Sequence, residues 1–172
     1  MSPRTLILFI IVLGIWPFAR SSQSEERRAL MTGSQSQKDT RMRAHAYAQI
    51  TVQNSEAKPY DQTSSPALVE IHLNETFAGD IDGKSPVRAL QVIRDDKSAH
   101  QVSMQRFSGT LGGRQGTFVL QGSEIVEKGK IKATWFVVPG SGTGGLTGLR
   151  GEGGFEGEFG KGSDGWLDYW FE

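Results

Sequence analysis

The sequence predicts an all-β domain, an antiparallel barrel, over residues 44–172, and three observations predict it. Apolar and polar residues alternate at period two through most runs after Ala44, the pattern of strands with one buried face. Turn residues interrupt the runs at short, fairly regular intervals, as in sandwiches and barrels rather than βαβ units. Glycine is concentrated late: eighteen of the 22 glycines lie between Gly109 and Gly165. Glycine within strands marks bends and close backbone approaches, and a small barrel needs such bends to close.

The elements follow in chain order. Arg4 precedes an almost unbroken apolar run, Leu6–Ile15, ended by Pro17, and small residues flank Arg20 in Ala19-Arg20-Ser21. This reads as a signal peptide over residues 1–21, cleaved after Ser21, and places the protein in the periplasm or outside the cell. The alternative is an N-terminal membrane anchor, but the run is shorter than the ~20 residues that span a bilayer. Residues 22–43 are polar and charged without a sustained apolar period and read as a flexible linker.

Strand signals begin at Ala46, Ala48, Ile50 and Val52, which alternate with Tyr47, Gln49 and Thr51. Val69, Ile71 and Leu73 form a second run, continued by Phe77 and Ile81, and Leu90 and Val92 fall in a third. Val102, Met104 and Arg106 alternate with Ser103, Gln105 and Phe107. Phe118 and Leu120 follow, then Lys130–Val138 and the closing run Trp166–Glu172. The last two are apolar on both faces, as in Trp135 and Val137 against Phe136 and Val138. One face can fill a barrel; the other needs cover, so the expected state is a homo-oligomer.

Composition excludes several functions. Formal net charge is zero, and loss of Arg4 and Arg20 with the leader leaves 17 basic against 19 acidic residues. That is not the basic footprint of a nucleic-acid binder. The absence of cysteine excludes disulfides, thiolate catalysis and thiolate metal sites. His45, His72 and His100 show no paired ligand spacing, so no metal and no other cofactor is expected. Gly140-Ser-Gly142-Thr-Gly-Gly145 formally matches a dinucleotide fingerprint, but Leu146-Thr-Gly148-Leu-Arg-Gly151 follows, too glycine-rich for the helix that such a site requires. Ser141 and Thr143 lack a His–Asp relay, so neither is read as a nucleophile.

Few polar groups stand out. Glu70 and His72 share a strand face and can be near neighbours; an outward, solvated pair is the plainer reading of them. Arg150 and Glu152 also share a face, where a mutual salt bridge or backbone contacts are the plainer role. Gln105, Arg106, Gln121 and Tyr169 complete the candidates, without a specific pattern.

The motifs also carry a resemblance. Phe77-Ala-Gly-Asp-Ile-Asp-Gly83, the run Phe107–Gln121, Val137-Val-Pro-Gly-Ser-Gly-Thr-Gly144, Gly148-Leu-Arg-Gly-Glu-Gly-Gly-Phe155 and Leu167-Asp-Tyr-Trp-Phe-Glu172 occur in order. Together they resemble the domain-of-unknown-function family numbered 3224, over about residues 44–172. That family is similar to the allene-oxide-cyclase-like barrels, a fold shared with dirigent proteins. The resemblance implies a closed barrel of about eight strands, often oligomeric, with an interior that holds apolar ligands without a cofactor. It also implies a Glu where this chain has Gln105, a departure that weakens an enzymatic reading.

The leading expectation is an exported, non-enzymatic protein that binds a small apolar ligand in its barrel. The first alternative is a cofactor-independent isomerase or cyclase on an apolar substrate. Its catalytic candidates are Glu70, His72, Gln105 and Tyr169, with Arg150 and Glu152 as ligand-binding candidates nearer the rim. It requires at least two of these groups to converge in one pocket. The second alternative is a structural or assembly subunit.

Overall fold

The computed structural model describes residues 42–94, 96–158 and 160–172. The expected signal peptide and all but the end of the expected linker lie outside the described residues. Eight strands form: β1 (Ala44–Asp61), β2 (Leu68–Gly79), β3 (Ile81–Ile93), β4 (Ala99–Leu111), β5 (Arg114–Glu127), β6 (Lys130–Val137), β7 (Leu149–Glu158) and β8 (Gly162–Phe171). Each pairs antiparallel with the next, and β8 returns to β1, closing the barrel. The expected closed eight-stranded barrel is therefore the fold.

Period-two alternation decides what lies inside. On β1, Ala46, Ala48 and Ile50 are buried between exposed Tyr47 and Gln49; on β6, Ala133, Trp135 and Val137 point inward. The two ends of the barrel differ. At the end where β4 meets β5, Phe107, Leu111, Phe118, Leu146, Leu149 and Leu167 are all at most 1% exposed and fill the interior. At the other end β8 pairs only with Ala44–Ile50 of β1. Beyond a register shift at Val52/Asn54, β1 has only β2 as a strand neighbour among the described residues, and the barrel opens there.

The Gly-rich segment between β6 and β7 forms a plug. Residues 138–148 leave β6, cross the closed end and drop Leu146 into the core from a single 3-10 turn, Gly144–Leu146. The segment continues along β5 where β6 has ended. Val138 N–H donates to Val119 O at 2.8 Å and Thr143 N–H to Thr117 O at 2.8 Å. Ser141 Oγ accepts from Val119 N–H at 3.0 Å, and Thr143 Oγ1 from Thr117 N–H at 3.2 Å. These hydroxyls therefore satisfy β5 backbone amides, a structural duty. Glycine is needed for the approach: a Cβ on Gly116 would collide with the Thr143 carbonyl, and one on Gly142 with the Leu146 carbonyl.

Candidate functional site

The open half of the barrel is where polar groups turn inward. On β4 the inner face carries Gln101, Ser103 and Gln105, while Val102 (58% exposed) and Met104 (53%) face outward. On β5 the inner face is Gly122, Glu124 and Val126; on β2 it is Ile71, Leu73 and Glu75. Glu75 and Glu124 are only 8% and 3% exposed. They stand on strands that are not neighbours, facing each other across the barrel interior. Glu75 lies in register with Ser85 of β3, itself buried.

A short polar chain holds Glu124. Its Oε1 accepts from the Ser103 hydroxyl, and the carboxylate also accepts from the Gln101 side chain. Gln101 Oε1 in turn accepts from Gln91 Nε2 at 2.7 Å. Gly122, which pairs with Ser103 across the β4–β5 ladder, leaves the room for this contact. A Cβ at position 122 would overlap both Glu124 Oε1 and Ser103 Oγ.

These groups form the polar floor of a cavity of about 610 Å³. Its walls are apolar: Ile71, Leu73, Val87, Val126, Ile131 and Phe155. The mouth lies between the free half of β1 and the β7–β8 turn, with Glu56 and Glu158 and Lys161 at its edges. Burial, and then the charge of Glu124, push the Glu75 carboxyl from its ordinary 4.5 up to about 7. Burial also raises Glu124, against the lowering pull of its bonds from Ser103 and Gln101. Three buried atoms, Ser85 Oγ, Gln105 Oε1 and Glu124 Oε2, have no hydrogen-bond partner among the described residues. Buried polar atoms are normally satisfied, which sets these three apart from the rest of the floor.

Of the residues singled out from sequence, Gln105 alone lines this cavity. Glu70 and His72 are near neighbours, with His72 Nε2 and Glu70 Oε1 2.6 Å apart. Their side chains stand on the opposite face of β2 from Ile71, Leu73 and Glu75, outside the cavity. Tyr169 packs edge-on against Phe171 (centroids 6.0 Å apart), against the core at the closed end. Arg150 pairs with Glu172 at 2.6 Å rather than with Glu152, which is exposed. The reason is the β7–β8 ladder: Arg150 is in register with Trp170, which brings the chain end beside the guanidinium. Arg150 and Glu152 thus lie by the plugged end, not at the rim of the cavity.

Sequence reasoning missed Glu75, Glu124, Ser85 and Ser103. The signal was present in two of them. Glu75 interrupts the stripe Ile71, Leu73, Phe77, and Glu124 interrupts Leu120, Val126, each at the parity of the apolar face. A carboxyl inside an apolar stripe is either an error of register or a functional group. Among the described residues no group of three or more His, Asp or Glu side chains gathers to hold a metal ion.

Comparison with known proteins agrees with this architecture. The crystal structure, at 1.84 Å resolution, of a protein of unknown function from the DUF3224 family of Shewanella oneidensis MR-1 is 29% identical to the chain. The match covers 76% of this chain and 98% of that one, with a TM-score of 0.62. No curated protein matches the chain. The family model described as "Protein of unknown function (DUF3224)" matches residues 46–172, from the first strand to the last residue of the barrel, and the chain therefore belongs to the DUF3224 family.

Proposed function

We propose that this protein is an exported, non-enzymatic binder that takes a small, largely apolar ligand into the open half of its barrel. One observation carries the reading: a cavity of about 610 Å³ with apolar walls and a polar floor in which buried atoms lack partners. Ligand pockets have this composition, with mostly apolar lining and a few placed polar groups, at volumes of roughly 300–1,000 Å³. The resemblance of the sequence motifs, through their family, to allene-oxide-cyclase-like and dirigent-like barrels is in keeping with the same use of the interior. The test is saturable binding of the neutral apolar dye Nile red. Val126→Trp and Ile131→Trp, which fill the cavity, are expected to weaken binding at least tenfold, while Met104→Ser on the outer face leaves it unchanged. Dye binding that survives both filling substitutions overturns the reading.

A second reading, a cofactor-independent isomerase or cyclase, draws on the Glu75–Glu124 pair. A carboxyl that titrates near 7 can take and return a proton at neutral pH, and here it faces an apolar cavity beside a second carboxyl. Ligand recovered from the host and incubated with the protein in D2O tests it. Deuterium incorporated at carbon by the native protein, and lost in Glu75→Gln, supports proton transfer. No incorporation counts against it.

A further inference from the structure

The polar floor also bears on the chemistry of the ligand, an inference that rests on the binding reading above. The atoms left without partners there are mainly acceptors: Gln105 Oε1 accepts and cannot donate, Glu124 Oε2 accepts when the carboxyl is ionised, and Ser85 Oγ can do either. Among the described residues the Glu75 carboxyl has no hydrogen bond either, and it shares the cavity with Glu124. Of the donors on the floor, the Ser103 hydroxyl and the Gln101 amide are already spent on the Glu124 carboxylate, which leaves the amide N–H groups of Gln105. The charge is equally one-sided. Four carboxyl groups line the cavity, those of Glu56, Glu75, Glu124 and Glu158, against one ammonium, that of Lys161. Lys161 sits at the mouth, 2.5 Å from Glu158.

We infer that the ligand is a cationic amphiphile, with an apolar body along the aliphatic walls and a protonated amine seated between Glu75 and Glu124. A primary ammonium brings three donors and no acceptor, which matches two carboxylates and the Gln105 carbonyl. It also removes the repulsion between the two acids and offsets the cost of keeping them from water. The competing head groups fit worse. A hydroxyl brings one donor and no charge. A carboxylate adds a third negative charge to an apolar enclosure and leaves the acceptors unmet.

A matched trio, decylamine, decanol and decanoate, tests the assignment by calorimetric titration at pH 8. The amine is expected to bind at least tenfold more tightly than the alcohol, and decanoate most weakly. The preference for the amine falls as pH drops below the range where Glu75 titrates, because a protonated carboxyl no longer attracts the ammonium. Glu75→Gln/Glu124→Gln abolishes the preference while decanol binding persists, with Glu56, Glu158 and Lys161 still in place at the mouth. Glu75→Gln alone, which disturbs no hydrogen bond of the floor, weakens it in part and guards against misfolding of the double variant. If decanol binds as tightly as the amine, or if the preference survives in the double variant, the cationic assignment is overturned and the binding reading stands. If none of the three binds, both fall.

Discussion

Glu75 shows how one side chain sets the pH response of the molecule. Its carboxyl is pushed from 4.5 up to about 7, chiefly by burial. The folded state therefore holds a proton over a pH window in which the unfolded chain has released it. The stability associated with that proton is present below about pH 4.5 and is lost as pH rises to about 7. A shift of this size corresponds to roughly 3 kcal/mol at most. Glu75→Gln is expected to lose the part of the decline across that window that Glu75 contributes, so that its melting temperature falls less steeply than the native protein's, and to be the more stable protein at pH 8. Thermal melts of both proteins from pH 4 to 8 check this; parallel curves would contradict it. Gly122 makes a second residue-scale case. Gly122→Ala places a methyl where Glu124 and Ser103 meet, so the carboxylate must give up its hydroxyl partner. Overpacking of this kind costs about 1–3 kcal/mol, measurable by urea unfolding.

At the scale of elements, the segment between β6 and β7 and the free half of β1 define the two ends of the barrel. Leu146 is fully buried from a loop whose own backbone is tied to β5 through Ser141 and Thr143. Leu146→Ala is therefore expected to destabilise the protein by about 2–5 kcal/mol without altering occupancy of the cavity at the far end, as read by Nile red titration. Among the described residues, the half of β1 beyond Val52 has one strand neighbour and a free edge. Lys58 and Pro59 sit on that edge. A lysine and a residue without an N–H both discourage pairing with another chain, which leaves the mouth of the cavity clear.

At the scale of the whole molecule, apolar surface is distributed differently from the sequence expectation. Trp166 and Trp170, the outer face of β8, are partly covered, and the Arg43 guanidinium lies 4.6 Å from the Trp170 ring centroid. The larger exposed set is on β3, β4 and β5: Leu90, Val102, Met104 and Ile125, with Leu90 and Val102 in register across the ladder. We propose that a second copy covers this face, since contiguous exposed apolar surface marks association. Light scattering coupled to size exclusion is expected to report an oligomer that Val102→Glu/Met104→Glu converts to monomer. A native protein that is monomeric at all concentrations would overturn the proposal.

Much of the fold was legible before any coordinates. Alternation in Ala46–Val52, turn chemistry between runs and the late concentration of glycine are local properties, and local properties are enough to specify an antiparallel meander. The site was legible in smaller part, through Gln105, because period two says that two faces differ but not which one is inside. On β4 the apolar pair Val102 and Met104 faces out and the polar Ser103 and Gln105 face in. That choice is made by closure of the ladder, which aligns Ser103 with Gly122 and Phe107 with Phe118. Glu75 and Glu124 likewise become partners only when β2 and β5 face each other across a closed interior. The sequence by itself thus determined the strands, their order and the bends that close them. Only tertiary structure decided that two carboxyls share one apolar cavity, since that requires distant strands to be brought together and water to be excluded between them.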